Sequence, residues 1–359
     1  MMKLLSRLLA GMLGVLVLCA LGLLLARSVV RAQAPAPVPP HPLTQTPQHK
    51  VTPDQMLKWE KELSNWGRWG PKDQRGTLNL ITQEKSLAAL RLAKEGISAS
   101  LHHFVEPKTT IDNNNMNVEF KHWNTTVDPK TGKPGGALDA MTFAIHDGGD
   151  THMDALCHYP VESTRGKVQL NYNGYPQELL PEGCGTLSID KMGKGYITRG
   201  ILVDLPLLKG VEWIEARTPI FVSDLEAWEK FANITIGSGD AVFIRTGRWA
   251  RRAKTGPWNA ARETPGLHAS VLPWIKQRNI AVLSGEGVVD AQPSGVDGWN
   301  RPIHSIAITI MGLPMVDNGY FEDVAAIAAR LKRWEFMLSW AAIQVPNSTA
   351  TPFTALATF

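Results

Sequence analysis

Residues 151–158 read Thr-His-Met-Asp-Ala-Leu-Cys-His and form the most chemically specific stretch of this 359-residue chain. Side chains alternate between the two faces of a strand, so His152 and Asp154 would project from one face, a single pleat apart. His158 returns to that side if the strand gives way to a helical turn. An imidazole nitrogen beside a carboxylate oxygen suits Zn²⁺, Mn²⁺ or a similar cation. The stretch therefore predicts a metal-binding or catalytic site; the alternative is a strand with an ordinary polar face.

The same stretch resembles the signature His-x-Gly-Thr-His-x-Asp-x-x-x-His of the cyclase family, metal-dependent hydrolases that include bacterial kynurenine formamidase and isatin hydrolase. Four residues match it: Thr151, His152, Asp154 and His158. The first histidine of the signature is missing, because Gly148 stands in its place. The nearest histidine is His146, six residues before His152, and a loop two residues longer would let it act as the first ligand.

Other segments resemble the longer branch of this family, which extends the resemblance over most of the chain from about residue 59. They are residues 65–70, 76–81, 170–174, 200–206, 239–247 and 302–304. The resemblance implies a barrel-like central β-sheet surrounded by helices, and a homodimer. Alternation of helix and strand patterns along the chain independently indicates the α/β class.

Two further metal ligands are implied by the resemblance. His304 falls where the family has a metal-binding histidine, and Asp317 stands near the position of a metal-binding glutamate in the formamidase branch. Glu286 and Asp290 follow a predicted strand and could orient a ligand histidine. The alternative is that both are ordinary loop acids. The predicted ligand set is thus His146, His152, Asp154, His304 and Asp317.

These residues suggest a mechanism. A divalent cation, Zn²⁺ or Mn²⁺, would lower the pKa of a bound water and generate hydroxide, which would attack an amide carbonyl. His158 would carry the proton to the departing nitrogen. The expected activity is cleavage of a C–N amide bond in a small substrate, as in an arylformamidase, and the family's aryl substrates favour an aromatic one. Two alternatives stay open: hydrolysis of a cyclic imide, isatin-like lactam or lactone, and a degenerate binding protein on the same fold. The number of metal ions is also open.

Local patterns predict the positions of the main elements. Helices are expected over residues 82–95, over 223–231 with Ser223 as the N-cap, over 268–278 and over 321–334. Strands are expected over residues 201–205, 241–246 and 280–284, and residues 336–345 are expected to form the final strand. A buried strand over residues 142–145 would deliver His146.

The N-terminus predicts export. Residues 8–26 are unbroken apolar sequence after Lys3 and Arg7, so residues 1–34 are interpreted as a signal peptide or a retained membrane anchor. Residues 35–53 are rich in proline, which predicts a linker. Residues 54–359 are expected to form the hydrolase domain. We therefore expect a periplasmic or extracellular protein, or one whose only contact with a membrane is an uncleaved anchor.

Charge and cysteine content narrow the functional classes. Residues 1–33 hold four of the 37 basic residues and no acidic one, so the remainder carries 33 of each and offers no electrostatic basis for nucleic-acid binding. The basic run Arg248, Arg251, Arg252 and Lys254 predicts a solvated loop, with an anion site as the alternative.

Cys157 is interpreted as a buried thiol, with a disulfide to Cys184 as the alternative.

Overall fold

A computed structural model describes residues 37–106, 108–113, 119–124, 127–133, 135–142, 144–146, 150–164, 168–193 and 195–359. Residues 39–359 form one folded unit, and of the unit that precedes it only Pro37 and Val38 are described. The predicted leader, residues 1–34, lies outside the described ranges. Within those ranges, no helix is long and apolar enough to cross a bilayer.

The described strands are β1 Ser98–Ser100, β2 Glu119–Asn124, β3 Ala137–Thr142, β4 His152–Asp154, β5 Leu179–Leu180, β6 Gly183–Cys184, β7 Tyr196–Asp204, β8 Pro219–Ile220, β9 Ala241–Arg245, β10 Gly266–Leu267, β11 Val282–Gly285, β12 Met315–Asp317, β13 Glu335–Trp340, β14 Ala350–Pro352 and β15 Ala355–Thr358. The α-helices are α1 Pro53–Glu62, α2 Gln83–Leu90, α3 Leu205–Lys209, α4 Val222–Ala232, α5 Arg248–Thr255, α6 Leu272–Arg278, α7 Pro302–Ile306 and α8 Glu322–Leu331. A π-helical turn, Ala307–Met311, follows α7 directly.

Nine strands form one curled sheet in the order β1-β15-β13-β7-β9-β11-β12-β4-β14. Its centre, β7 to β12, is parallel, and the strands on either side of that centre pair antiparallel. Helices cross between the parallel strands and cover the sheet, as parallel strands require. The predicted α/β class with a barrel-like central sheet surrounded by helices is therefore confirmed.

The central strands follow the apolar runs in the sequence. Residues 201–204 of β7 and 241–244 of β9 are buried, and the predicted strands over 201–205 and 241–246 are confirmed. β7 also contains Gly200, where an added Cβ would lie 2.1 Å from the ring of Phe336 on β13. A glycine is needed there because the aromatic ring occupies the space above the backbone.

The helix predictions are confirmed within a few residues, with one correction at a helix start. α4 begins at Val222, and its N-cap is Phe221, whose N–H donates to the Asp224 carboxylate at 2.9 Å. Ser223 is therefore not the cap. The side chain of Asp224 accepts the N–H of Phe221, so the cap lies two residues earlier than the sequence pattern indicated.

Two strand predictions are wrong. Residues 142–145 do not form a buried strand, because β3 ends at Thr142 and its residues are exposed in a hairpin with β2. The strand after α8 is β13, but it is not the final one. β14 and β15 follow it, and they pair with β4 and with β13 and β1 respectively.

The segment predicted as a linker belongs largely to the folded unit. Thr44 and Val51 are buried, the Gln45 amide donates to the Gly295 carbonyl at 2.9 Å, and Arg217 donates to the Pro39 carbonyl at 2.6 Å. The expectation of a free tether over residues 35–53 is therefore corrected from Pro39 onward. Side-chain hydrogen bonds to backbone carbonyls hold this segment, and they leave no periodic pattern in the sequence.

The basic run at residues 248–254 is a helix, α5, and not a solvated loop. Arg248 is buried and donates to the Glu286 carbonyl at 2.7 Å. Arg252 forms a salt bridge with Asp112 at 2.7 Å. The arginines of this run thus join separate parts of the fold, which the charge pattern alone could not indicate.

Cys157 and Cys184 form a disulfide, so the interpretation of Cys157 as a free buried thiol is wrong. Cys157 lies in the turn after β4 and Cys184 in β6, 27 residues apart in sequence and 6.5 Å apart between Cα atoms. The bond fixes the turn that carries His158 to the strand pair β5–β6. Its formation depends on the tertiary proximity of two distant segments.

We expect the double variant Cys157→Ala/Cys184→Ala to be less stable than the wild type by about 2–4 kcal/mol, because the crosslink restricts the unfolded chain. Urea unfolding of the oxidised protein measures the difference. As a control, a reducing agent should destabilise the wild type and leave the variant unchanged. Ready alkylation of both cysteines in the unfolded, unreduced protein would contradict the disulfide.

Candidate metal centre

A cavity of about 290 Å³ opens where β4, β12 and α7 meet. Three histidines, two arginines and an aspartate are among the residues that line this cavity: His146, His152, His158, Arg248, Arg301 and Asp317. Four of the six predicted site residues, His146, His152, Asp154 and His158, lie within residues 146–158, and the family resemblance implied the other two, His304 and Asp317. The structure brings all six together.

The strand β4 lies between β12 and β14, with both pairings antiparallel. Asp317 is the direct partner of His152 across the β4–β12 ladder. Residues directly opposite each other in such a ladder project from the same face. His152, Asp154 and Asp317 therefore share one face of the sheet, which confirms the prediction that His152 and Asp154 lie on the same side of a strand.

Asp154 is at the centre of the cluster. Its Oδ1 lies 3.5 Å from His146 Nδ1, 3.7 Å from His152 Nε2 and 3.9 Å from His158 Nε2. The chain turns at Ala155, whose carbonyl accepts the His158 N–H at 3.0 Å. This turn returns His158 to the face of Asp154, as the four-residue spacing predicted.

His304 approaches from the other side. Its Nε2 lies 3.6 Å from Asp154 Oδ2 and 3.2 Å from Asp317 Oδ2. Behind it, the carboxylate of Asp290 accepts a hydrogen bond from His304 Nδ1 and also from the N–H of Ile303, at 2.6 Å. Asp290 thus both caps the short helix α7 and orients the imidazole, so of the two interpretations left open by the sequence it is not an ordinary loop acid.

Glu286, the other acid expected to orient a histidine, has a different role. Its Oε2 accepts the backbone N–H groups of Thr246 and Gly247 at 2.6 Å and that of Arg248 at 3.2 Å. It therefore fixes the beginning of α5 and does not contact His304. Asp290 and Glu286 could not be distinguished from sequence, because both follow the same strand.

Each of three imidazoles has one nitrogen engaged away from the cluster. His152 Nδ1 lies 2.9 Å from the carbonyl oxygen of Asp150, His304 Nδ1 bonds Asp290, and His146 Nε2 lies 3.0 Å from the Thr349 hydroxyl. A carbonyl or carboxylate partner requires the bonded nitrogen to carry the proton. The opposite nitrogen of His152 is then free to present its lone pair to the cluster, and that of His304 would do so when a cation replaces its proton, which is the arrangement found around metal-ligating histidines.

The charges of the cluster are strongly coupled. Burial raises the pKa of Asp154 to about 6. Burial opposes protonation of His304, but the carboxylates of Asp317 and Asp290 outweigh it and raise the pKa of His304 well above its usual value. Burial likewise opposes ionisation of Asp317, yet His304 lowers the pKa of Asp317 to about 2. Without a metal ion, a proton on His304 thus balances Asp317.

The geometry fits a cation. His146, His152 and Asp154 form one group whose ligand atoms lie within 4.8 Å of one another, and Asp154, His304 and Asp317 form a second. Asp154 Oδ1 and Asp317 Oδ1 are buried and have no hydrogen-bond donor. Unpaired buried carboxylate oxygens are costly in free energy, and a metal ion would compensate them. A cation would also displace the proton from His304.

His158 belongs to neither ligand group. Its ring stacks on that of His146, with centroids 4.0 Å apart, and meets the ring of Tyr159 edge-on at 4.8 Å. Burial, followed by the nearby His146 and His304, lowers the pKa of His158 to about 2. The imidazole is therefore neutral at the edge of the cavity.

Sequence reasoning missed three residues of the cavity wall: Tyr159, Arg248 and Arg301. Tyr159 directly follows the predicted site residue His158, and Arg301 directly precedes α7, the helix that carries His304. Their positions in the sequence could therefore have indicated that they lie near the site. Arg248 reaches the cavity only through the packing of α5. Gly148, which replaces the first histidine of the signature, lies outside the described residues.

Comparison with known proteins identifies the family. A family model described as "Putative cyclase" matches residues 77–289, more than half of the chain. No curated protein is similar enough in sequence to match the chain.

Solved structures share the fold. The crystal structure of a novel cyclase aligns with a TM-score of 0.70 and 24% identity, covering 84% of this chain and 99% of that one. An isatin hydrolase bound to the product analogue thioisatinate aligns at 0.51 and 17% identity, covering 77% and 98%. Isatin hydrolase A from Ralstonia solanacearum aligns at 0.50 and 18% identity, covering 77% and 97%. The sequence match and the shared fold show that the chain belongs to the cyclase family.

Proposed function

We propose that this protein is a metal-dependent hydrolase that cleaves a C–N amide bond in a small aromatic substrate, as an arylformamidase does. The observation that carries the proposal is the buried carboxylate of Asp154, which two candidate ligand groups share at the wall of an open cavity. His158 stands beside these groups without belonging to either. This combination supplies a cation site and an adjacent proton carrier in one cavity.

The nitrogen and oxygen ligands suit Zn²⁺ or Mn²⁺. When bound, such an ion would act as a Lewis acid toward water and toward the substrate carbonyl. Asp290 would keep His304 oriented, and the Asp150 carbonyl would keep His152 in the tautomer that presents Nε2. His158 would accept a proton from the attacking water and deliver it to the departing nitrogen.

A second candidate function is hydrolysis of a cyclic substrate such as an isatin-like lactam, a cyclic imide or a lactone. Two of the solved structures that share the fold are isatin hydrolases, which favours this second function. Both activities add water to a carbonyl carbon and break its bond to nitrogen, or to oxygen in a lactone, and the shape of the cavity decides between open and cyclic substrates. A degenerate binding protein is the third alternative, and the unpaired buried oxygens of Asp154 and Asp317 argue against it.

We expect the purified protein to contain a divalent transition metal and to hydrolyse at least one of N-formylkynurenine, isatin and a cyclic imide. Asp154→Asn should retain the fold but bind metal well below one ion per chain and lose activity in parallel, because a central charged ligand is removed. Elemental analysis and a spectroscopic hydrolysis assay provide the two measurements.

The matched control is Asp323→Asn, the same substitution at an exposed position of α8. It should leave metal content and activity unchanged. Full metal content in Asp154→Asn would contradict the assignment of Asp154 as a ligand. A wild-type protein that neither binds metal nor hydrolyses any member of the panel would instead support the degenerate alternative.

For His158, we expect the variant His158→Ala to keep its metal and lose about 10²–10⁴-fold in kcat, the usual contribution of a general acid–base group. His122→Ala, at an exposed position of the β2–β3 hairpin, serves as the control and should retain both properties. Parallel loss of metal and activity would identify His158 as a ligand. Near-normal turnover per folded molecule would exclude a role in proton transfer.

We also propose that the protein is exported and works outside the cytoplasm. The Cys157–Cys184 disulfide supports this, since such bonds persist mainly in oxidising compartments. Cell fractionation with N-terminal sequencing should recover an extracytoplasmic protein that starts near Pro35, or a full-length protein in the membrane fraction. Recovery of soluble, full-length, reduced protein from the cytoplasm would contradict export.

A further inference from the structure

Arg301 is a cation in the wall of the cavity without a matching acid. It is the N-cap residue of α7, and its carbonyl accepts the Ser305 N–H at 2.9 Å, so its backbone is held in place. Its guanidinium donates to the Tyr159 hydroxyl at 3.3 Å. Among the described residues, no carboxylate lies within 4.0 Å of it.

Four other partly buried arginines of the fold differ in this respect, whereas Arg217, Arg251 and Arg333 resemble Arg301 in having no salt bridge among the described residues. Each of the four is paired with one or two carboxylates at 2.6–3.0 Å: Arg199 with Asp240 and Glu335, Arg245 with Asp204 and Glu322, Arg252 with Asp112 and Glu106, and Arg278 with Glu229. Arg301 is only partly exposed, and among the described residues its guanidinium has one hydrogen bond, to the Tyr159 hydroxyl. Among the described residues, no ion pair therefore holds the Arg301 side chain in the cavity.

The two arginines of the cavity wall differ in their partners. The carboxylates of Asp317 and Asp290 lie close enough to act on Arg301 electrostatically, but among the described residues neither forms a salt bridge with it. Arg248, on the opposite wall, has Asp112 at 3.9 Å. Arg301 has four of its five N–H donors free of partners among the described residues, and the Tyr159 hydroxyl beside it can donate a further hydrogen bond.

We propose that Arg301, with Tyr159, forms a subsite for a carboxylate, so that the preferred substrate is an amide that carries one carboxylate group close to the bond that is cleaved. The proposal deepens the hydrolase function proposed above and rests on it. The planar fork of a guanidinium matches a carboxylate with two parallel hydrogen bonds. The cavity of about 290 Å³ accommodates a single-ring aromatic acid.

The first test measures binding without turnover. Benzoate and its neutral analogue benzamide are titrated into the purified, metal-containing protein in a calorimeter, and the same is done with Arg301→Gln. We expect Arg301→Gln to bind benzoate about 10–100-fold more weakly and benzamide as before, because only the anion uses the charge-assisted hydrogen bonds. Arg301→Lys should bind benzoate with intermediate affinity. Arg330→Gln, an equal charge change at an exposed position, should match the wild type.

The second test uses hydrolysis. N-formylanthranilate and N-formylanthranilamide differ only in a carboxylate and its neutral carboxamide. We expect the wild type to prefer the acid in kcat/KM by about 10–100-fold and Arg301→Gln to lose that preference, with metal content unchanged. An equal loss toward both compounds, no loss toward either, or no preference in the wild type would overturn the proposal. If the wild type hydrolyses neither compound, the proposed formamidase activity fails, while the benzoate titration still decides the carboxylate subsite.

Discussion

The buried carboxylate of Asp154 is the group on which the arrangement of the site depends. One oxygen faces His146, His152 and His158, and the other faces His304. A carboxylate in this position is stable only if positive charge surrounds it, whether from protonated imidazole or from a metal ion. Three of the four histidines come from residues 146–158, His304 comes from α7 and Asp317 from β12, so the cluster forms only when strands β4 and β12 and helix α7 have all assembled.

Specific contacts outside the cavity hold the candidate ligands and the cavity wall in position. Asp290 caps α7 through the Ile303 N–H and holds His304 through Nδ1, so one buried side chain determines both the helix start and the imidazole orientation. On the opposite side, Glu286 fixes the beginning of α5 and thereby the position of Arg248 in the cavity wall. The disulfide holds the turn that carries His158. Each functional side chain is thus fixed by a contact outside the cavity.

Both departures from the family signature are accommodated by the tertiary structure. His146 lies six residues before His152 instead of four, yet its ring reaches Asp154 Oδ1 at 3.5 Å and stacks on His158. Asp317 is one methylene shorter than a glutamate, but its strand pairs directly with β4 and so brings the carboxylate to 3.2 Å from His304 Nε2. Both candidate ligands reach the cluster because the backbone segments that carry them lie close to Asp154 and His304.

The sequence alone was sufficient for the α/β class, the central strands and the local geometry of residues 152–158. Those features depend on contacts between near neighbours: alternation along β4 places His152 beside Asp154, and one turn returns His158. The resemblance to the cyclase family added His304 and Asp317, which no local pattern connects to β4. Only the tertiary structure decided the Cys157–Cys184 bond, the division of roles between Asp290 and Glu286, the packing of residues 39–53 and the place of Arg301 in the cavity. The physical reason is that these features depend on distances between segments far apart in sequence, and periodicity carries no information about such distances.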